Sequence, residues 1–371
     1  MKQFAVKPSI LLFDRCADFA REMNLGEKDL ILTNDYIYNP YFADLGLKCH
    51  VIFQEKYGRG EPTDEMAEAI YADVKDLSYD RVIAIGGGTI IDLCKLFALE
   101  KTSPVTDLFD KKFPAVKNRQ LFIVPTTCGT GSEVTNISIL AFLQRGTKFG
   151  LADPALFADT AVLIPELLEG LPLPVFATSS IDALVHAVES YLSPKANPFT
   201  EMYSLEAMRM ILSGYKIMAA EGAEARKPLL QQFHLASTYA GIAFGNAGCG
   251  AVHAMSYPLG ATYHVPHGES NYVMFTGILN KYLSLQPVGK IQKLNGYLAE
   301  LLGCGVEEVY EKLDELLNNL IRKKALHEYG VTPEDLEAFT TNVMEKQGRL
   351  MGNNYTPLTR EDVMDIYQKL L

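Results

Sequence analysis

The sequence predicts two domains of different class: a parallel α/β domain over residues 1–171, then an all-helical domain over residues 172–371. Three observations carry this. Short apolar runs alternate with helical patterns in the first half, the order that builds a parallel sheet with helices on its faces. Beyond the Pro-rich corner Leu171-Pro-Leu-Pro174 there is no convincing strand, and the apolar spacing is helical. A length of 371 residues suits two domains with a large core.

Taken in order, Leu30–Thr33 and His50–Phe53 read as strands. Glu61-Pro-Thr-Asp-Glu opens a helix that runs to about Leu77, with acids in its first turn. Arg81-Val-Ile-Ala-Ile85 is a buried strand that ends in Gly86-Gly87-Gly88. Thr89 is the expected N-cap of the helix that follows, through Leu99. Leu121-Phe-Ile-Val124 is another buried strand, again running into a turn rich in Gly and Thr. After the corner, helices are expected over 175–191, 201–219, 227–244, 271–285 and 307–320. A ligand site is expected in a cleft between the two domains.

Composition removes several function classes. The formal net charge is −11, from 45 acids and 34 bases. A general nucleic-acid binder or an anionic-membrane binder needs a net cationic face, so both are excluded. An anionic substrate would have to be held by local cations. The six cysteines lie far apart with no CxxC pair, which predicts reduced thiols and a cytoplasmic protein. The apolar run Ile10–Phe13 is too short for a signal segment, and no apolar stretch of about 20 residues occurs, so no membrane span is expected.

Two turns carry the signature of a phosphate cradle. Gly86, Gly87, Gly88 and Thr89 sit between a strand and a helix, where backbone N–H groups and the helix N-terminus favour an anion. The spacing is not GxGxxG, and a tight turn without a ligand is the competing reading. Pro125-Thr-Thr-Cys-Gly-Thr-Gly-Ser-Glu133 follows the next strand and is rich in hydroxyls. Thr126, Thr127, Thr130 and Ser132 suit hydrogen bonds to phosphate, ribose and amide groups, or plain turn chemistry. Two such turns at neighbouring strand ends point to a nucleotide.

A metal constellation follows in the second half. Asp182 and His186 stand four residues apart, on one face of a helix. His253 and His267 are placed at a helix end and across a turn through Pro258 and Pro266. One carboxylate and three imidazoles suit Fe²⁺ or Zn²⁺ rather than Ca²⁺ or Mg²⁺. A surface ion pair or core histidines would be the alternative. His264 is a spare candidate, as a pocket group or competing ligand. Tyr257 lies one helical turn after His253 and is expected to line the same pocket.

These motifs together resemble the iron-containing (group III) alcohol dehydrogenases. The segments are Gly86-Gly-Gly-Thr-Ile-Ile-Asp-Leu-Cys-Lys95, the turn from Pro125 through Thr135, Asp182-Ala-X-X-His-Ala-X-Glu189, and His253 to His267. They cover nearly the whole chain in the family's order. The resemblance implies a nucleotide-binding α/β domain with NAD(P) contacts from Gly87, Gly88, Thr89, Asp92, Thr126, Thr127 and Thr130. It implies that Lys148 reaches the cofactor ribose, that Asp182, His186, His253 and His267 hold the metal, and that the protein is a homodimer. Asn34 occupies a place where relatives often carry an acid that excludes a 2′-phosphate; an Asn repels nothing strongly, so NADP stays open, and NAD is favoured by the resemblance to one branch of the family. Three positions depart from the family pattern. Tyr257 stands where a second His is common, Ile164-Pro165 where Asp-Pro is usual, and Asn353-Asn354-Tyr355 where relatives carry Asn-Pro-Arg.

Within the family, Phe53-Gln-Glu-Lys-Tyr-Gly, Ala240–Gly248, Tyr263–Glu269 and Asn353-Asn354-Tyr355 are most similar to the branch that interconverts 4-hydroxybutyrate and succinate semialdehyde. The implied substrate is a small carboxylated alcohol or aldehyde. Arg349, four residues before Asn353, supplies a guanidinium that can clamp a carboxylate, unless it is simply a solvated helix residue. The proton-relay candidates are His264, Tyr257, water and the cofactor ribose. The rival readings are another short-chain alcohol dehydrogenase, a dehydroquinate synthase-like lyase, and a sensor without catalysis.

Overall fold

The computed structural model describes residues 4–371 and divides into two compact units. One is Val6–Leu171. The other gathers Pro172–Leu371 with Phe4 and Ala5.

The first unit contains eight strands: β1 (Ser9–Leu12), β2 (Asp29–Thr33), β3 (His50–Phe53), β4 (Arg81–Gly86), β5 (Gln120–Pro125), β6 (Ile137–Phe142), β7 (Thr147–Ala152) and β8 (Thr160–Leu163). Six form a sheet in the order β1-β8-β5-β4-β2-β3, and every neighbouring pair is parallel. The strands read as unbroken apolar runs because both faces are covered. Leu30, Leu32, Val82, Ala84, Leu121 and Ile123 point to one side, under the helices Asp64–Val74 and Gly88–Phe97. The alternate residues Ile31, Ile83, Ile85, Phe122 and Val124 point to the other, with Phe19 and Ile37 of the helices Cys16–Glu22 and Asp35–Tyr41. Register is fixed at the strand starts, where Asp29 and Arg81 are paired residues of β2 and β4. Arg81 donates to both carboxylate oxygens of Asp29, at 2.5 and 2.7 Å. That bidentate pair matches a planar fork to a planar acceptor.

The connectivity creates a switch point. From β2 the chain moves outward to β3, returns across β2 to β4, and then continues the opposite way to β5. Parallel sheets bind ligands outside the carboxyl ends of the strands at such a reversal. Here those ends are Thr33-Asn34 and Gly86-Gly87.

Several local expectations need correction. Gly87, not Thr89, caps the helix Gly88–Phe97, and the Thr89 hydroxyl donates instead to the Gly60 carbonyl at 3.0 Å. The helix opened by Glu61-Pro62 starts after Thr63, whose hydroxyl accepts from the Met66 N–H, and it ends at Val74. The edge strand β1, the strand β8 and the antiparallel hairpin β6–β7 are additions to the sequence reading.

The second unit has no strand among its described residues. Its long helices are Leu173–Leu192, Pro198–Glu221, Leu230–Ala247, Ala251–Tyr263 and His267–Leu285, followed by Lys290–Leu302, Val309–Asn318, Asp335–Lys346 and Arg360–Leu370. Pro258 lies inside the helix Ala251–Tyr263 rather than in a turn. The helix Pro198–Glu221 starts from a reciprocal cap: Asn197 Oδ1 accepts from the Phe199 and Thr200 N–H groups, and Thr200 Oγ1 accepts from the Asn197 N–H. Where His267–Leu285 crosses Leu173–Leu192, Gly268 is required, because a Cβ there would lie 2.0 Å from the Thr178 carbonyl oxygen. No helix of the described residues is long and apolar enough to cross a membrane. None of the six cysteines is in a disulfide.

Candidate metal centre and nucleotide turns

The helix Leu173–Leu192 is buried along most of its length, so Asp182 and His186 are carried into the interior of the unit. Asp182 is 2% exposed and His186 5%. His253, in the first turn of Ala251–Tyr263, meets them from a second helix. His267 begins a third, His267–Leu285. His253 Nε2 lies 2.9 Å from His186 Nε2 and 3.7 Å from Asp182 Oδ1. His267 Nε2 is 3.6 Å from the same carboxylate oxygen, and His186 Nδ1 is 3.9 Å from Asp182 Oδ2. The candidate ligand atoms of Asp182, His253 and His267 all fall within 4.8 Å of one another. The structure thus brings together the four residues singled out from spacing.

The donor set fits a borderline divalent cation. Several lone pairs converge in a buried space where only one proton can sit between His186 and His253. A single cation in that space would satisfy those lone pairs together. Burial by itself would raise the Asp182 carboxyl, but His186, His267 and His253 around it hold it below the usual carboxylate range. Asp182 is therefore an anion ready to share a cation.

Three residues that the sequence reading did not assign complete this centre. Glu189 Oε2 accepts from His253 Nδ1 at 2.6 Å, and its Oε1 accepts from the Val252 N–H at 2.7 Å. A carboxylate at Nδ1 fixes the proton there and leaves Nε2 as a free donor atom facing Asp182, the usual support for a metal-binding imidazole. Glu189 lies one helical turn beyond His186, so the Asp182/His186 face could have been extended to find it. Asn271 Nδ2 donates to Asp182 Oδ1 at 2.7 Å and lies 3.2 and 3.3 Å from the Nε2 atoms of His253 and His267. Its own Oδ1 is buried without a partner. Cys249 Sγ comes within 4.8 Å of donor atoms of His186 and His253. Burial pushes that thiol up, so it stays protonated, with His253 opposing.

The catalytic candidates separate. The Tyr257 ring is 6.0 Å from that of His267, beside the metal ligands. Burial raises its phenol, with His253 and Arg349 opposing, so Arg349 is close enough for its charge to be felt. Arg349 is exposed, in the short helix Gly348–Met351. The next segment is anchored by Asn353, whose Nδ2 donates to the Ala247 and Cys249 carbonyls at 2.9 and 3.1 Å. His264 is exposed and ends the helix Ala251–Tyr263 in a left-handed conformation, φ 55°. It makes no hydrogen bond or ring contact with the four-residue cluster among the described residues.

In the first unit the two turns lie side by side. The Thr126 N–H donates to the Gly86 carbonyl at 3.1 Å, and a Cβ on Gly87 or Gly88 would touch Thr127 or Thr130 at 3.5 or 3.4 Å. Gly86 is forced by its own helix, since a Cβ there would lie 2.4 Å from Ile90 Cγ1. A cavity of about 610 Å³ lies over the switch point, lined by Asn34, Glu55, Gly87, Gly88 and Thr89 among others. Asp92 and Ser132 turn inward. Ser132 Oγ donates to Asp92 Oδ1 at 3.1 Å, and buried Lys95 donates to Ser132 Oγ at 2.9 Å and the Ile137 carbonyl at 2.6 Å. Both residues tie the second turn to the helix Gly88–Phe97. Lys148 pairs with Glu61 at 2.5 Å.

Known proteins agree with this architecture in both halves. A family model described as iron-containing alcohol dehydrogenase matches residues 11–165, and one for the C-terminal part of the Fe-containing alcohol dehydrogenase family matches 176–371. The chain is 49% identical over 370 residues to the 4-hydroxybutyrate dehydrogenase of Clostridium kluyveri, covering 100% of both chains. It is 32% identical to the long-chain-alcohol dehydrogenase 1 of Geobacillus thermodenitrificans, over 93% of this chain and 90% of that one. A crystal structure of sulfoacetaldehyde reductase from Bifidobacterium kashiwanohense in complex with NAD⁺ shares the fold, with a TM-score of 0.86, 21% identity, and coverage of 100% and 98%. By its two matched halves, its full-length relatives and its fold, this chain belongs to the iron-containing alcohol dehydrogenase family.

Proposed function

We propose that this protein is an NAD-dependent, metal-assisted dehydrogenase that interconverts 4-hydroxybutyrate and succinate semialdehyde. The observation that carries the reading is the full-length 49% identity to a 4-hydroxybutyrate dehydrogenase. The Asp182/His186/His253/His267 cluster, buried except for the partly exposed His267 ring, supports it.

Asp182, His186, His253 and His267 would hold Fe²⁺ or Zn²⁺. Bound together, the metal supplies Lewis acidity toward a carbonyl oxygen and the nicotinamide supplies hydride. The chain's own residues do the rest. Glu189 holds the His253 proton at Nδ1 and keeps Nε2 available. Gly87, Gly88 and Thr89 open a helix whose N-terminal N–H groups suit a pyrophosphate, beside the hydroxyls of Thr126, Thr127 and Thr130. Lys148, already paired with Glu61, stays a candidate for the cofactor ribose. Asp92 and Ser132 act at one remove, by fixing the second turn.

Tyr257 stays protonated at neutral pH and lies against His267, so its phenol can hold or pass a proton near the reacting oxygen. His264, exposed at a helix end, is the weaker proton-relay candidate. Arg349 makes no ion pair among the described residues and its charge reaches Tyr257, which suits a substrate carboxylate held at the far end from the carbonyl. The acidic chain thereby offers an acidic substrate two local positive charges, the metal and Arg349. A cytoplasmic homodimer is the expected form.

The test is a comparison of 4-hydroxybutyrate with 1-butanol, using NAD⁺ and metal-loaded protein. The reading predicts a kcat/KM higher for the hydroxy acid by about tenfold or more, the value of one charge-assisted carboxylate contact. Equal values would assign the protein to plain short-chain alcohols.

A further inference from the structure

The cavity over the switch point contains a device that the residue after β2 does not reveal by itself. Asn34 is 7% exposed, and its Nδ2 donates to Glu55 Oε1 at 2.9 Å and to Gln54 Oε1 at 3.1 Å. Gln54 cannot be reversed, because its Nε2 donates to the Gly58 carbonyl at 2.8 Å. Its Oε1 therefore faces Asn34 as an acceptor, and this fixes the Asn34 amide with nitrogen toward Glu55. Both Asn34 N–H groups are consumed. The only polar atom that Asn34 can offer a ligand is Oδ1, an acceptor.

Glu55 is placed just as firmly. Its Oε1 takes the Asn34 bond and a second, from the Asp35 N–H, at 3.3 Å. Its Oε2 is shut off from solvent and has no hydrogen-bond partner. A carboxylate oxygen left so lacks one or two donors. Glu55 lines the cavity together with Asn34, Gly87 and Gly88. Glu55 follows β3 and Gly87 and Gly88 follow β4, the two strands that flank β2 in the sheet.

We infer that Glu55, held in place by Asn34, makes this cavity select a dinucleotide with free ribose hydroxyls and reject one that carries a 2′-phosphate. The inference rests on the reading that the cavity holds the adenosine half of the cofactor. The edge presented by Asn34 and Glu55 is acceptors only. A vicinal diol brings two O–H donors to it. A phosphate brings acceptors and negative charge against a carboxylate, an arrangement that costs affinity at low local dielectric. An acid lost at the end of β2 is thus regained from the end of β3. Among the described residues Arg59 is the only cation lining the cavity, and it is exposed.

The experiment is direct binding of NADH and NADPH, by fluorescence enhancement or calorimetry, to wild type, Glu55→Gln and Arg59→Ala. Gln keeps an acceptor for Asn34 and the Asp35 N–H, so the fold is retained, and circular dichroism checks it. Wild type should bind NADH about 100-fold more tightly than NADPH, and Glu55→Gln should shrink that ratio by about tenfold or more, largely by gaining NADPH. Arg59→Ala should leave the ratio within about threefold of wild type, because no charge that discriminates has been removed. A ratio unchanged in Glu55→Gln, or set by Arg59, overturns the inference while leaving the cofactor site intact. Wild-type protein that binds neither dinucleotide overturns the cofactor reading itself.

Discussion

Replacing Glu189 by Gln should weaken metal binding without changing the ligand set. Glu189 is isosteric with Gln, is 6% exposed, and touches the centre only through His253 and the Val252 N–H. Gln can keep one oxygen on Val252 only by turning its NH₂ toward His253 Nδ1. That nitrogen now lies 2.6 Å from the carboxylate and carries the proton. Two donors then face each other. The ring must move its proton to Nε2, the atom 2.9 Å from His186 and 3.7 Å from Asp182. There the proton blocks the lone pair a cation needs. Loss of such a support costs about 10–100-fold in metal affinity, or about 1.4–2.7 kcal/mol. The assay is competition for Zn²⁺ between the metal-free protein and a chromophoric chelator, with circular dichroism to show retained fold. A dissociation constant within about twofold of wild type would refute the tautomer argument.

Other perturbations follow from particular contacts. Arg349→Ala should lower kcat/KM for succinate semialdehyde by about 10–100-fold while leaving butanal nearly unchanged; an equal loss on both substrates would remove the clamp. Gly268→Ala places a Cβ 2.0 Å from the Thr178 carbonyl oxygen and 3.3 Å from Asp182 Cβ, so the helices must separate. It should cost about 1–3 kcal/mol in chemical unfolding and release metal more readily, and a wild-type midpoint would contradict this. Burial lowers Lys95 to about 8, with Asp92 and Glu133 opposing. A lysine whose folded value is depressed costs stability below that value, and the cost is relieved as pH rises. The stability of wild type relative to Lys95→Met should therefore increase by about 2 kcal/mol between about pH 7 and 9.5. A difference that is flat or falls with pH would show that burial does not depress the Lys95 ammonium.

The parallel sheet was legible because its central strands are buried on both faces. Val82–Ile85 and Leu121–Val124 are apolar at every position, and glycine or threonine turns mark their ends. β1 was obscured because it is an edge strand with only partial burial, and β8 because Pro165 follows it closely and its run is four residues long. The hairpin β6–β7 turns at Gly146 in a left-handed conformation, but only burial alternates along β6: Ser138 is buried while Ile137 and Ile139 are partly exposed, so residue type gives no period-two signal. In the second unit the helix Ala251–Tyr263 carries Pro258 and Gly260, which argue against a helix by propensity; tertiary packing overrides them. The four metal-ligand candidates could be picked out from type and spacing. Their supports could not. Glu189, Asn271 and Asn353 act through partners 64, 89 and 106 positions away, and no local pattern announces such contacts. Glu55, in the Phe53–Gly58 stretch, has no local signal of a role, because its meaning depends on which way Asn34 is turned.

The central claim is that the Asp182/His186/His253/His267 cluster makes this chain a metal-dependent, NAD-linked dehydrogenase for a four-carbon hydroxy acid. The most direct measurement is an anaerobic titration of metal-free protein with Fe²⁺, following NADH consumption by succinate semialdehyde at each addition. The account predicts no turnover without metal, a linear rise that saturates at about one ion per chain, and loss of both binding and turnover in folded Asp182→Ala. Turnover that is independent of metal, or a fully loaded protein that leaves NADH and succinate semialdehyde unchanged, would contradict it.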